Sequence, residues 1–303
     1  MTAETDRPDL PEHAAVRALA DGAARAAAVV VRTVHDAVGL AAVADFFSDV
    51  WQTPRSTPPY PAEVLHSLVH AGGAVHAAYT VEGERLAGAC VAVFGPPAAA
   101  AAYSLVAAAD HGVGYAVKQA QRAWVLERGA RTLRWTFDPL VGRNARFNLA
   151  KLGATGTEYL VDFYGPMADG VNGGDESDRL TVTWDLTAPR RPYETADRNA
   201  APATHAIGRP AAHPVALPAA LPQGTPMAPD GAPLARRSRD GRHVWCRVPG
   251  DIVALRAADP ALALRWRHAV RDVFTEAFAE GFRATGMSRD GSYTLTREED
   301  TPA

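Results

Sequence analysis

Asp110, His111, Gly112, Val113, Gly114 and Tyr115 follow an apolar, alanine-rich run and open a helical pattern. Glycines at a strand-to-helix junction let backbone N–H groups approach an anion at the positive end of the helix dipole, so a pyrophosphate is the guest that suits this segment. The alternative is a pair of turn glycines with no ligand. His111 and Lys118 could add positive charge there, or simply face solvent near the helix start. Asp138, within Phe137-Asp138-Pro139, stands at a strand end as a candidate general base or amine anchor, with a turn-initiating role as the competing reading. Tyr103 and Ser104 could orient a substrate or relay a proton, or pack within their strand, and Tyr159 and Tyr164 carry the same choice. Arg179, in Ser177-Asp178-Arg179, offers a planar fork to a substrate carboxylate; its other reading is a surface ion pair. His66 and His70 are four residues apart with no Glu between them, so no metal site is expected.

These groups need a frame. Residues 28–32 read as a strand, and Asp36 can cap a helix whose stripe is Leu40, Val43, Phe47, Val50 and Trp51. A second short helix begins at Pro61 and stops at Gly72-Gly73. Residues 75–81 and 86–94 form a hairpin, 101–108 a strand, 113–127 a helix and 132–137 a strand. A helix over 143–152 and strands over 157–164 and 180–186 follow. The expected organisation is a tail over 1–27, a domain over 28–188, a Pro/Ala-rich connector over 189–240, and an extension over 241–303 that packs on the domain. Residues 189–233 hold ten of the 23 prolines, which is why that stretch reads as a connector. In the extension, 244–248 is a strand, Asp259-Pro260 starts a helix whose Trp266, Phe274 and Phe278 read as core, and 292–295 is a last strand.

With 303 residues, 47% apolar and 21% charged, the chain has material for a sizeable core. Lys+Arg 31 against Asp+Glu 34 gives a formal charge of -3, so neither nucleic acid nor an anionic membrane is the expected partner. Only Lys118 and Lys151 are lysines; arginine carries the rest of the positive charge. Cys90 and Cys246 build no disulfide framework, no apolar run reaches the length of a membrane span, and a cytoplasmic location is expected.

Further motifs lie in order along the chain: Gly112-Val113-Gly114, Tyr115-Ala116-Val117-Lys118, Trp135-Thr136-Phe137-Asp138-Pro139-Leu140, Arg143-Asn144-Ala145 and Ser177-Asp178-Arg179-Leu180-Thr181-Val182-Thr183-Trp184. This series resembles the GNAT superfamily of N-acyltransferases, and within it a predicted-acetyltransferase branch with a C-terminal extension. The resemblance implies an α/β fold in which a mixed, splayed sheet is flanked by helices. It also implies acetyl-CoA or another acyl-CoA as co-substrate, lying between the fourth and fifth strands. Cofactor contacts are then expected at Val106, Ala107, Ala108, His111, Gly112, Val113, Gly114, Tyr115, Ala116, Asn144 and Asn148. Substrate contacts are expected at Arg179, Trp135 and Tyr164, and catalytic roles at Asp138, Tyr103 and Ser104. The expected partner is a small-molecule amine, an amino acid among the candidates, with a homodimer left open. The chain departs from the family where Ala109 replaces a phosphate-pairing side chain and where residues 101–108 lack a carboxylate. A non-catalytic acyl-CoA-binding protein and an acyl-CoA decarboxylase or hydrolase are the alternative functions.

Overall fold

The structure, a computed structural model, describes residues 11–188 and 226–297. The first ten residues of the expected tail and most of the expected connector lie outside the described residues. Strands β1 (Val29–Val34), β2 (Ala74–Thr80), β3 (Leu86–Phe94) and β4 (Ala101–Ala109) form an antiparallel run. Next come β5 (Thr132–Phe137), β6 (Thr155–Leu160) and β7 (Arg179–Asp185). The C-terminal stretch adds β8 (Ala235–Arg237), β9 (His243–Arg247), β10 (Arg283–Met287) and β11 (Ser292–Thr296). All eleven lie in one sheet in the order β1-β2-β3-β4-β5-β7-β6-β10-β11-β9-β8. The extension therefore lengthens the sheet as well as packing on it, and β8 falls inside the stretch that composition reads as connector.

Helices α1 (Pro11–Ala26) and α4 (Gly114–Glu127) pack against each other, joined at the surface by an Arg17–Glu127 ion pair. The N-terminal stretch, which reads as a tail or a short helix, is helical over its described part, Pro11–Ala26. Helices α2 (Ala37–Trp51) and α3 (Ala62–His70) bury Leu40, Val43, Phe47 and Leu65 with Val75, Val91 and Val106 of the sheet. Asp36 caps α2 as its sequence suggests, accepting from Gly39 N at 2.8 Å. After β5 come a single turn, α5 (Gly142–Ala145), and a π-helical turn (Arg146–Lys151) where one helix was expected. Helices α6 (Ile252–Ala258) and α7 (Pro260–Ala279) complete the extension, and Asp259 caps α7 with Pro260 in its first turn. Phe274 on α7 meets Tyr159 of β6 and Tyr293 of β11, as core residues should. No described helix is long and apolar enough to cross a membrane.

Candidate active site

β4 and β5 are the one parallel pair of this sheet, and they stay together only over Ala101↔Thr132, Ala102↔Leu133 and Tyr103↔Arg134. Beyond those residues the strands part. β4 keeps its outer ladder with β3, and β5 keeps its own with β7 to Phe137↔Leu180. The outer register of β4 shifts at Leu105, since Val91 faces Val106 while Ala92 faces Ser104. A bulge of this kind adds local twist and turns a strand away from its neighbour. Two strand edges thus face each other across a wedge, with backbone donors and acceptors available to an extended ligand.

The wide end of the wedge meets the start of α4. Gly112 has φ of +88°, and a Cβ built there would meet nothing within 4 Å, so its backbone lies open. Asp110 N donates to Ala87 O at 2.8 Å and Val113 N to Asp110 O at 3.1 Å, which fixes the turn. No side chain caps α4, leaving its first N–H groups and the positive dipole end for an anion. Lys151 of the π-helical turn holds its Nζ 5.1 Å from the Tyr115 ring centre and so places a cation beside this turn. His111 is exposed, and Asp110 pairs with Arg85 at 2.7 Å on the surface. The uncapped helix start, the open Gly112 backbone and Lys151 together make a place for an anion at this turn. Among the expected contacts, Val106, Val113, Ala116 and Asn148 have buried side chains, so contact there would be through backbone. Asn144 is exposed on α5.

On the α4 face of the wedge, Lys118 is buried rather than solvent-facing or beside the phosphate turn. Its Nζ donates to Ser104 Oγ at 2.9 Å and to Gln121 Oε1 at 2.9 Å, and lies 4.1 Å from the Trp135 ring centre. Burial lowers its pKa to about 8, against a small opposing effect of Cys90. Trp135 is therefore the floor under Lys118, edge-on to Trp184, and does not stand with the other expected substrate residues. Gln121 was missed because an amide on a helix carries no local sign of its partner.

The opposite face gathers hydroxyls. Thr136 Oγ1 is 3.3 Å from Tyr164 Oη, and the Tyr103 phenol lies close to both. Tyr60, just ahead of α3, donates to Leu105 O at 3.3 Å; burial first, then Tyr164 and Tyr103, push its phenol up to about 12. Arg179 stacks on Tyr164, with its Cζ 5.1 Å from the ring centre. Its Nη1 donates to Asp178 O at 2.8 Å and its Nη2 to Met167 Sδ at 3.0 Å. Among the described residues no carboxylate forms an ion pair with it, so the surface-pair reading does not hold. Tyr60 and Thr136 escaped the sequence reading because a lone Tyr or Thr carries no motif.

Asp138 is occupied. Its Oδ1 accepts from Leu140 N at 2.9 Å and from Arg267 at 3.3 Å; its Oδ2 accepts from Arg267 at 3.1 Å and from Arg256. The two guanidiniums outweigh its burial and hold the carboxyl below its usual range. A general base needs a free lone pair and an affinity for protons, and Asp138 has neither, which corrects that expectation. The turn role does hold, through Leu140 N. Asp175 joins the cluster, taking Arg267 Nε at 2.8 Å and Arg256 Nε at 2.7 Å. Tyr159 likewise donates to Asp178 at 2.7 Å, away from any catalytic task. Among the described residues no group of three or more His, Cys, Asp or Glu side chains could hold a metal ion.

No family model matches the chain, and no curated protein matches it. Among solved structures, an N-acetyltransferase from Staphylococcus aureus Mu50 is similar at a TM-score of 0.43 and 14% identity, over 52% of this chain and 99% of that one. The ribosomal-protein-S18-alanine N-acetyltransferase from Escherichia coli is similar at 0.41 and 14%, over 54% and 96%. A putative acetyltransferase, yncA from Salmonella typhimurium, solved with acetyl-CoA, is similar at 0.41 and 11%, over 55% and 98%. At that identity and overlap the likeness transfers no residue role to this chain. The geometry of the wedge has to carry the functional reading.

Proposed function

We propose that the chain is an acyl-CoA-dependent N-acyltransferase of GNAT type that acetylates the amine of a small, carboxylate-bearing molecule. The observation that carries this reading is the parting of β4 and β5 above an uncapped helix start: the gap suits an extended pantetheine, and the turn at Gly112 suits a pyrophosphate. The thioester then lies near the point where the strands separate. Aminolysis needs a neutral amine, donors for the developing oxyanion and an exit for a proton, and no covalent protein intermediate. The hydroxyls of Tyr103, Thr136 and Tyr164 gather between β4 and the surface, where Tyr164 is 52% exposed, and offer the proton an exit. Burial raises the pKa of Tyr103, so it relays a proton through a neutral hydroxyl and does not act as a base. Arg179, buried and with no carboxylate ion pair among the described residues, suits the carboxylate of an amino-acid-like acceptor.

A thermal-shift panel of CoA, acetyl-CoA and succinyl-CoA tests the ligand, since binding to the folded state raises its stability by mass action. An upward shift with acetyl-CoA is expected, and its absence at millimolar ligand removes the proposal. Thiol release from acetyl-CoA in the presence of single amino acids then tests the reaction. A protein that binds CoA yet releases no thiol with any amine is a binder and not an enzyme.

A further inference from the structure

A lysine ammonium has three donors and no acceptor, so each atom it touches defines a direction. Lys118 spends one donor on Ser104 Oγ and one on Gln121 Oε1, while the Trp135 ring covers its remaining side. Ser104 is the first β4 residue beyond the last β5 pair, and Trp135 is the first β5 residue beyond it. The ammonium therefore sits beneath the vertex of the wedge. Gln121 Nε2 donates to Val91 O at 3.4 Å, which turns the amide so that its oxygen meets Lys118. Because Ser104 Oγ accepts from Lys118, its own hydroxyl proton is free to point into the wedge. Among the described residues no carboxylate pairs with this buried cation.

Resting on the acyl-CoA reading above, we propose that Lys118 and Ser104 form a proton relay that serves the departing sulfur. The acceptor nitrogen adds to the thioester carbon, and the C–S bond then breaks with its electron pair going to sulfur. Ser104 passes its proton to that sulfur and takes one from Lys118. The proton shed by the acceptor nitrogen leaves to solvent on the opposite face, and once CoA has left, water in the wedge returns a proton to Lys118 through Ser104, so the exchange balances. Ser104 is the residue that touches the sulfur, and Lys118 acts through it.

The groups facing Lys118 suit this task. From β3 comes Cys90, whose thiol burial pushes up to about 12; from β4 comes Ser104, from β5 Trp135 and from α4 itself Gln121. His76, opposite Cys90 on β2, is held neutral by burial, with its pKa lowered to about 4. Lys118 is thus the member of this cluster that changes charge near the range where a thiol does.

The chain's two lysines make the test direct. Full-length protein labelled with 13C at lysine Cε gives two signals, assigned with Lys151→Arg, and each is followed through a pH titration with CoA, acetyl-CoA or neither. Lys118 should titrate well below Lys151. CoA, which offers an ionisable thiol, should raise the Lys118 midpoint by about one pH unit, whereas acetyl-CoA should not. Ser104→Ala should remove that difference. If Lys151 responds to both ligands while the Lys118 midpoint stays fixed, or if the difference survives in Ser104→Ala, the relay is overturned and the binding reading stands. If neither lysine responds to either ligand, the acyl-CoA reading falls and the relay with it.

Discussion

A buried ammonium without a counter-ion costs folding free energy, and at Lys118 the sign of that cost can be worked out. The folded pKa is about 8 against an ordinary 10.5. Between those values the unfolded chain holds more protons, so this site's contribution to stability rises with pH across that window and its penalty is full below pH 8. Lys118→Met should therefore raise the unfolding free energy near pH 7 by about 1–3 kcal/mol once the unpaired Ser104 and Gln121 are allowed for. The gain should shrink between pH 8 and pH 10.5, read by chemical denaturation along a pH series. A gain independent of pH points to packing alone. Local sequence could not place this lysine. A charge on a helix is expected to face water, but α4 is enclosed by the sheet and by α1, and Lys118, Gln119 and Gln121 are all buried. Asp138 escaped for a related reason: its arginine partners lie 118 and 129 positions away. A motif records neighbours in sequence, and these are neighbours only in space.

Among elements, the strand-to-helix turn at Gly112 and the succession of strands along the chain up to β7 were legible, because period and glycine placement report local geometry, while the insertion of β7 between β5 and β6 was not. Nor was the seam between β6 and β10. It has a single registered pair, Ala284↔Gly156, and a Cβ at position 156 would lie 2.7 Å from the Ala284 Cβ and 3.2 Å from Leu180. Glycine is required there by close approach rather than by its dihedral angles. Gly156→Val should destabilise the protein by about 1–3 kcal/mol through overpacking. Equilibrium denaturation measures the loss, and Ala284→Gly should restore part of it. Full stability in Gly156→Val shows that the seam can spread. The segment before β7 is held in a similar cross-chain way: Asp178 pairs with Arg271 at 2.7 Å, and Gly170 N donates to Trp51 O at 3.1 Å. Helices α7 and α2 thereby fix the stretch that carries Tyr164 and Arg179 over the wedge.

At the scale of the molecule, the ion cluster joins the two described stretches. Asp138 and Asp175 come from one, Arg256 and Arg267 from the other, and Arg267 is fully buried. Removing one partner from such a cluster strands a buried charge, at a cost of about 3–5 kcal/mol. The same sheet that opens at β4 and β5 is closed by β10 at its other side, and only long-range contacts decide this. Residues 11–188 and 226–297 should consequently complement each other as separate pieces. Produced as two polypeptides in one cell, they should reassemble and co-purify, and Asp175→Asn in the first piece should weaken their association by at least tenfold. Failure of the unmodified pieces to associate would mean that the covalent link between them is indispensable. If they do associate, the fold is divisible at the seam, and a pair of genes could encode it as readily as one.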